Sequence, residues 1–324
     1  MTSKERVKRA INFTGPDRLP LFCFNADFNE SDIMHAGVVH HFMGEKYDRS
    51  EFGFTWERID GTMGQPRLAG AYTVPDPNDP RRFDGAMWQM REYGPDKYYM
   101  ANIGLTGFTL MTILHGFEET LANLYAAPET SARHADEVFE FEEAIIRNCA
   151  GRGFDAVFFS DDWGTQNDLF ISPAKWREFF KPRYKRQFDL CHALGMDVYF
   201  HCCGQIYDII GDFVEIGVDI MNISQPNVFD IGKLGREFGG KVCFSCPVSY
   251  QTTSLTGTRD EIFADVKRLK DNLGCFNGGL IGYVETYKSI GLTDENYGFC
   301  KAAFLGRSSG VQGFGSSESC CVFK

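Results

Sequence analysis

A chain of 324 residues that is 43% hydrophobic and 15% aromatic carries enough apolar surface for a large core, which excludes intrinsic disorder. Its formal net charge of -11, with no local run of Lys or Arg, repels phosphate backbones and anionic bilayers, so neither nucleic acid nor membrane is an expected partner. Eleven irregularly spaced cysteines without a secretion signal do not describe a disulfide framework, and no apolar run reaches the roughly 18 residues of a spanning helix; the expectation is a reduced, cytoplasmic protein.

The first thirteen residues place Val7, Ala10, Ile11 and Phe13 on one face and predict an amphipathic helix. "RLPLFCFNADFN" follows as an opening strand, and "DIMHAGVVHHF", with His35, His40 and His41, reads as a helix near the mouth of the fold. "VPDPNDPRRFDGAMWQMREYGPDKY" is rich in proline and charge and suits a hairpin or insertion over that mouth. "YYMANIGLTGF" is a second strand, and "GFEETLANLY" and "SARHADEVFEFEEAIIRNCA" are helices whose His115 and His134 read as surface or packing residues.

The second half repeats a unit. "GFDAVFFSDD", "GMDVYFHCC", "GVDIMNIS", "GKVCFSCP" and "GGLIGYVE" each open on glycine, run through continuous apolar residues and end in polar or reactive ones. A continuous run predicts a strand buried on both faces, as in a parallel sheet. Between these strands, Ser172 and Pro173 start a helix that Pro182 kinks or divides, and "IYDIIGDFVEI" and "TRDEIFADVKRLKDNL" are amphipathic helices. The pattern predicts one domain over residues 1–306, an α/β (β/α)8 TIM barrel with an elaborated N-terminal half. An open doubly wound sheet is the other architecture, but no G-x-G-x-x-G follows a strand. Residues 307–324 are rich in Gly and Ser and predict a flexible tail; Cys321 stands where a prenylated cysteine would, before an unsuitable terminal Lys324.

In such a barrel, reactive residues gather at the C-terminal ends of the strands. Those ends carry Asn25 and Asp27; Ser160, Asp161 and Asp162; His201, Cys202 and Cys203; Asn222, Ser224 and Gln225; Cys246; and Glu285. Strand alternation sends His201 and Cys203 to one side and Cys202 to the other, so His201 and Cys203 can share a cation. A catalytic zinc site takes three protein ligands, for which Cys246 or Glu285 supplies the third. The competing reading of His-x-Cys is packing and hydrogen bonding. Asp161 and Asp162 in "SDDWGTQ" suit substrate positioning or proton delivery, unless one of them caps a helix or pairs with an arginine. His35 is a candidate substrate contact. Phe22, Phe24, Phe28, Trp56, Trp88, Trp163 and Tyr283 are aromatic residues placed near the mouth.

The segments "MTSKERVKRAINFTGPDRLP", "SDDWGTQNDLFISPAKWREFFKPRYKRQFD", "HCCGQIYDIIGDFVEIGVDIMNISQPN" and "DIGKLGREFGGKVCF" occur in an order and spacing that resemble the uroporphyrinogen decarboxylase superfamily, over roughly residues 3 to 305. The resemblance implies a (β/α)8 barrel. "LFCFNADFNES" lacks the arginines with which tetrapyrrole decarboxylases hold their substrate, so the chain looks like the corrinoid-dependent methyltransferase branch, in particular the methyltransferase components of anaerobic O-demethylases. That likeness implies methyl transfer from a small methylated substrate, a methoxylated aromatic, to the cobalt of a corrinoid carried by a partner protein. It also implies zinc held through His201 and Cys203, although the family's later cysteine would fall near Tyr283 to Thr286, where Glu285 stands instead. Asn25, Asp27, His35, Trp163, Gln225 and Tyr283 are the expected substrate contacts, and Asp161, Asp162 and His201 the catalytic residues. A homodimer is among the assemblies the resemblance admits. A decarboxylase, or a non-catalytic protein that binds a corrinoid or a small aromatic, are the other functions.

Overall fold

The computed structural model describes residues 1–46, 48–57, 65–68, 70–285 and 291–307; Thr286 and the segment 308–324, including Cys321, lie outside the described residues. Eight strands form one parallel sheet: β1 (Leu21–Phe24), β2 (Ile33–Gly37), β3 (Tyr98–Leu105), β4 (Ala156–Ser160), β5 (Asp197–Cys202), β6 (Ile220–Ile223), β7 (Cys243–Pro247) and β8 (Leu280–Glu285). β2 through β8 pair in succession and β8 pairs with β1. The ring is completed at the seam between β1 and β2. There the Asp32 N–H donates to the Leu21 carbonyl at 2.7 Å, and the Cys23 N–H donates to Ser31 Oγ, whose hydroxyl in turn donates to the Ile33 carbonyl. The expected (β/α)8 architecture is therefore present.

Because the strands are buried on both faces, the core has two parts. Inside the ring lie Phe22, Ile33, Met100, Phe158, Tyr199, Ile220, Cys243, Ile281 and Tyr283. Between the ring and its helices lie Cys23, Val157, Phe159, Val198, Phe200, Cys202, Phe244 and Cys246. The N-terminal helix Ser3–Ile11 closes the bottom, pushing Val7, Ala10 and Ile11 into the inner core. Its Arg6 reaches Asp32, which is 1% exposed and also accepts from Arg18 and from the Leu21 N–H. One buried carboxylate thus ties the helix to the seam.

Two local expectations are corrected. "DIMHAGVVHHF" is not a helix: Ile33–Gly37 is β2, in parallel register with Tyr98–Asn102 of β3. The proline-rich segment after it is not a hairpin over the mouth but a short 3-10 turn and a helix, Asp84–Tyr93, lying outside the ring. The hairpin in this half is formed earlier, by Thr55–Glu57 with Gln65–Arg67. The helix expected to be kinked or divided at Pro182 is divided, into Pro173–Phe179, capped by Ser172, and Lys181–Ala193.

Asp32→Ala would remove one of the two carboxylates that Arg6 pairs with, leaving Asp17, and would leave the buried Leu21 N–H without its acceptor, at a cost of about 1–3 kcal/mol. Urea denaturation should show a clearly lowered midpoint; an unchanged midpoint would contradict this role for the seam.

Candidate active site

β5 presents Tyr199 and His201 to the interior and Val198, Phe200 and Cys202 to the surrounding helices. The His201 Nδ1 lies 2.6 Å from Asn222 Oδ1 and 3.0 Å from Ser224 Oγ. The Asn222 amide nitrogen donates to the Ser245 carbonyl at 2.7 Å, so its oxygen is the end that faces the ring. That oxygen only accepts, which places the proton on Nδ1 and leaves the Nε2 lone pair free. Nε2 faces Cys203 Sγ at 3.7 Å and Asp162 Oδ1 at 3.9 Å.

Asp162, His201 and Cys203 form the one group of three potential metal ligands among the described residues, with all three ligand atoms within 4.8 Å of one another. Tetrahedral zinc, with nitrogen and oxygen at about 2.0–2.1 Å and sulfur at about 2.3 Å, separates its donor atoms by about 3.3–3.6 Å. The two spacings from His201 Nε2, 3.7 Å to the Cys203 sulfur and 3.9 Å to the Asp162 oxygen, need contractions of roughly 0.2 and 0.5 Å. Neutral imidazole, thiolate and carboxylate are also the donor types zinc selects, and the Asn222 contact is the outer partner that a metal-bound histidine requires. The residues fit the ion. Burial, with the Asp162 carboxylate beside it, pushes the Cys203 thiol well above its ordinary value, so a thiolate forms there when a cation draws the proton off.

The third position is where the sequence reading is corrected. Cys246 is fully buried but faces outward, toward the helix Arg259–Leu273, because Cys243 and Ser245 take the inward positions of β7. It is on the wrong side of the sheet to reach His201. Glu285 stands at the end of β8 on the inner side, bonded by the Tyr283 hydroxyl, and is not part of the three-residue group. Asp162 occupies the place that Cys246 or Glu285 was expected to fill.

The paired aspartates have different surroundings. Asp162 is half-exposed, and its Oδ1 accepts from the Cys203 N–H at 2.8 Å. Asp161 is 0% exposed and caps the helix Gly107–His115, accepting from the Phe108 and Thr109 N–H groups, the Thr109 hydroxyl and the Tyr184 hydroxyl. Burial pushes its carboxyl up to about 7 despite these bonds. Substrate positioning by Asp161 is corrected accordingly: its oxygens are turned into the wall.

The remaining expected contacts are dispersed. His35 lies inside the barrel, stacked on Phe24 at 4.2 Å, with burial pulling it down to about 4. The Asn102 amide oxygen accepts from Gly104, so its NH2 donates to His35 Nδ1. Tyr283 packs on Phe22 and Phe24 within the ring. Asn25 is exposed just beyond β1, with φ 57°. Asp27 is ion-paired with Lys301 of the last helix, and Trp163 is fully buried against Phe108 and Phe180 behind the wall. Neither Asp27 nor Trp163 is a mouth residue, contrary to expectation. Gln225 joins the loops after β4 and β5, accepting from Gln166 and from the Gly204 N–H. Of the other aromatic residues expected there, Trp88 is exposed on the outer helix Asp84–Tyr93, and Phe28 packs on Tyr93 of that helix.

Two residues that the sequence reading passed over belong here. Tyr250, three positions beyond β7, stands beside Ser224 and the Cys203 sulfur. Thr109 bridges Asp161 to the Asp162 N–H. Neither carries a spacing signal, because each reaches the site from an element distant in sequence, Thr109 from a helix and Tyr250 from the loop after β7. A cavity of about 700 Å³, lined by Phe170, Gln205, Tyr207, Phe229 and Lys233 among others, lies near these loops, but none of the three potential ligands lines it. The ligand geometry, not a void, therefore marks the site.

Metal analysis of the purified protein should separate the cysteines. Cys203→Ala is expected to lose zinc, whereas Cys246→Ala should retain it at the wild-type stoichiometry; the opposite outcome would reverse the assignment.

A family model described as uroporphyrinogen decarboxylase (URO-D) matches residues 97–279, more than half of the chain. Among solved structures, a methyltransferase from Methanosarcina mazei superposes with a TM-score of 0.67 at 15% identity, covering 94% of this chain and 98% of that one. A 3-keto-D-glucoside 4-epimerase from E. coli reaches 0.47 at 12% identity, covering 69% and 84%. No curated protein sequence matches significantly. At these identities the structural likeness is one of fold, while the family match rests on the sequence of the barrel itself, from the start of β3 to the approach to β8. On that match, the chain belongs to the uroporphyrinogen decarboxylase family.

Proposed function

We propose that this protein is a methyltransferase that moves a methyl group from a small methylated substrate, a methoxylated aromatic, to the cobalt of a corrinoid carried by a separate protein. The observation that carries the reading is the convergence of Asp162, His201 and Cys203 at the ends of β4 and β5, on the inner side of a barrel lined by Phe24, Phe158, Tyr199 and Tyr283. The overall likeness to a methyltransferase supports it. The reaction that gives the family its name draws no such support. A substrate with many carboxylates needs cations around it, and the loop after β1, residues 25–31, contains no Lys or Arg.

In this reaction the bond between the ether oxygen and the methyl carbon breaks, its electron pair leaving on the oxygen as a phenoxide, and the new carbon–cobalt bond takes its pair from the reduced acceptor. Zinc bound to the three residues would supply Lewis-acid stabilisation of the charge that develops on the leaving oxygen. The chain itself contributes position. Asn222 holds the His201 ring with Nε2 inward, the Cys203 N–H holds the Asp162 carboxylate, and the aromatic interior offers faces on which a substrate ring stacks.

Incubation with a reduced corrinoid protein and a panel of methoxylated aromatics, thioethers and methylamines tests the reading. Methylcobalamin should accumulate in step with free phenol, and Cys203→Ala should slow this by at least about 100-fold. Tight ligand binding with no methylcobalamin from any substrate would overturn catalysis in favour of a carrier or sensor.

A further inference from the structure

The helix Gly107–His115 is not capped from within: its own N-cap, Thr106, makes no side-chain capping bond. Its first three N–H groups are satisfied from other elements. Gly107 donates to Glu142 Oε1 at 2.7 Å, and Phe108 and Thr109 donate to Asp161 at 2.9 and 2.7 Å. Both acids are buried, and burial pushes the Glu142 carboxyl up to about 8. The approach leaves no room for a side chain at Gly107, whose φ is +49°; a Cβ there would lie 2.3 Å from Asp161 Oδ2 and 2.7 Å from the Tyr184 hydroxyl. The helix start and the end of β4 are locked together.

Thr109 is the link from this lock to the ligand group. An amide N–H can only donate, so Thr109 Oγ1 accepts from Asp162 N at 2.9 Å, and the one hydroxyl hydrogen goes to Asp161 Oδ1 at 2.7 Å. The hydroxyl therefore fixes the peptide that joins the two aspartates, and with it the direction in which Asp162 leaves the strand. We infer that Thr109 is a positioning residue for the Asp162–His201–Cys203 cation site, setting the Asp162 carboxylate through a hydrogen bond to its backbone. The inference rests on the cation-site reading of the preceding subsection. Removing the hydroxyl leaves the Asp162 N–H without its acceptor and lets the peptide turn, although the helix still docks through Asp161 and Glu142.

Titration of the metal-free full chain with Co²⁺, followed by the thiolate-to-cobalt absorption, tests this without any assay of catalysis. Thr109→Val, close in shape but without the hydroxyl, should weaken binding by about 10–100-fold, the range for loss of an outer-shell partner. Thr109→Ser should bind within a few-fold of wild type. Circular dichroism should show all three proteins equally folded. Thr109→Val binding as tightly as wild type would overturn the inference. Failure of Thr109→Val and Thr109→Ala to fold would also overturn it, by making Thr109 a determinant of the fold rather than of the site. Wild-type protein that binds no Co²⁺ would instead defeat the cation-site reading itself, and this inference with it.

Discussion

A strand buried on both faces gives every second residue to the interior, and this alternation on β5 is the constraint on which the site depends. It sends His201 inward, leads Cys203 to the same side just beyond the strand, and sends Cys202 outward. Cys202 is then used structurally, its sulfur accepting the Trp163 N–H at 3.3 Å and so helping to hold the chain that follows β4. The same rule on β7 spends the inward positions on Cys243 and Ser245 and removes Cys246 from the site. A cysteine one residue along a strand is thus separated from the interior by the whole sheet.

Around the three ligands the protein places neutral hydrogen-bonding groups. Asn222 and Ser224 approach His201 Nδ1, Tyr250 stands beside the Cys203 sulfur, and the backbone of Cys203 holds Asp162. Such partners fix tautomer and orientation without competing for the charge of a bound cation. The charged anchors are kept elsewhere, as in Asp32 with Arg6 and Arg18 at the opposite end of the barrel. Rigidity at the bottom and neutrality around the ligands are complementary parts of one scaffold.

Much of this was legible in the sequence wherever the signal was local. Continuous apolar runs after glycines located β4 to β8, and alternation alone put His201 and Cys203 on one face. β2 was missed because Ile33, Met34, Ala36 and Val38 suit a helix as well as a buried strand, and the partner that decides, β3, lies more than sixty residues away. Asp161 and Asp162 could not be told apart because the residues that separate them, Thr109 and Tyr184, come from other elements. The third member of the group was hidden for a related reason. The order of strand ends along the sequence does not show which of them lie together; the nearest carboxylate to His201 is set by the pairing of β4 with β5, which places Ser160 opposite His201 and Asp162 just beyond.

The central claim is that Asp162, His201 and Cys203 bind one metal ion together. X-ray absorption at the zinc edge of the metal-loaded protein measures the ligand set directly. One sulfur at about 2.3 Å with nitrogen or oxygen atoms at about 2.0–2.1 Å is the predicted result. Two sulfurs in the shell, which would require Cys246 or Cys202, or no stoichiometric zinc at all, would contradict it.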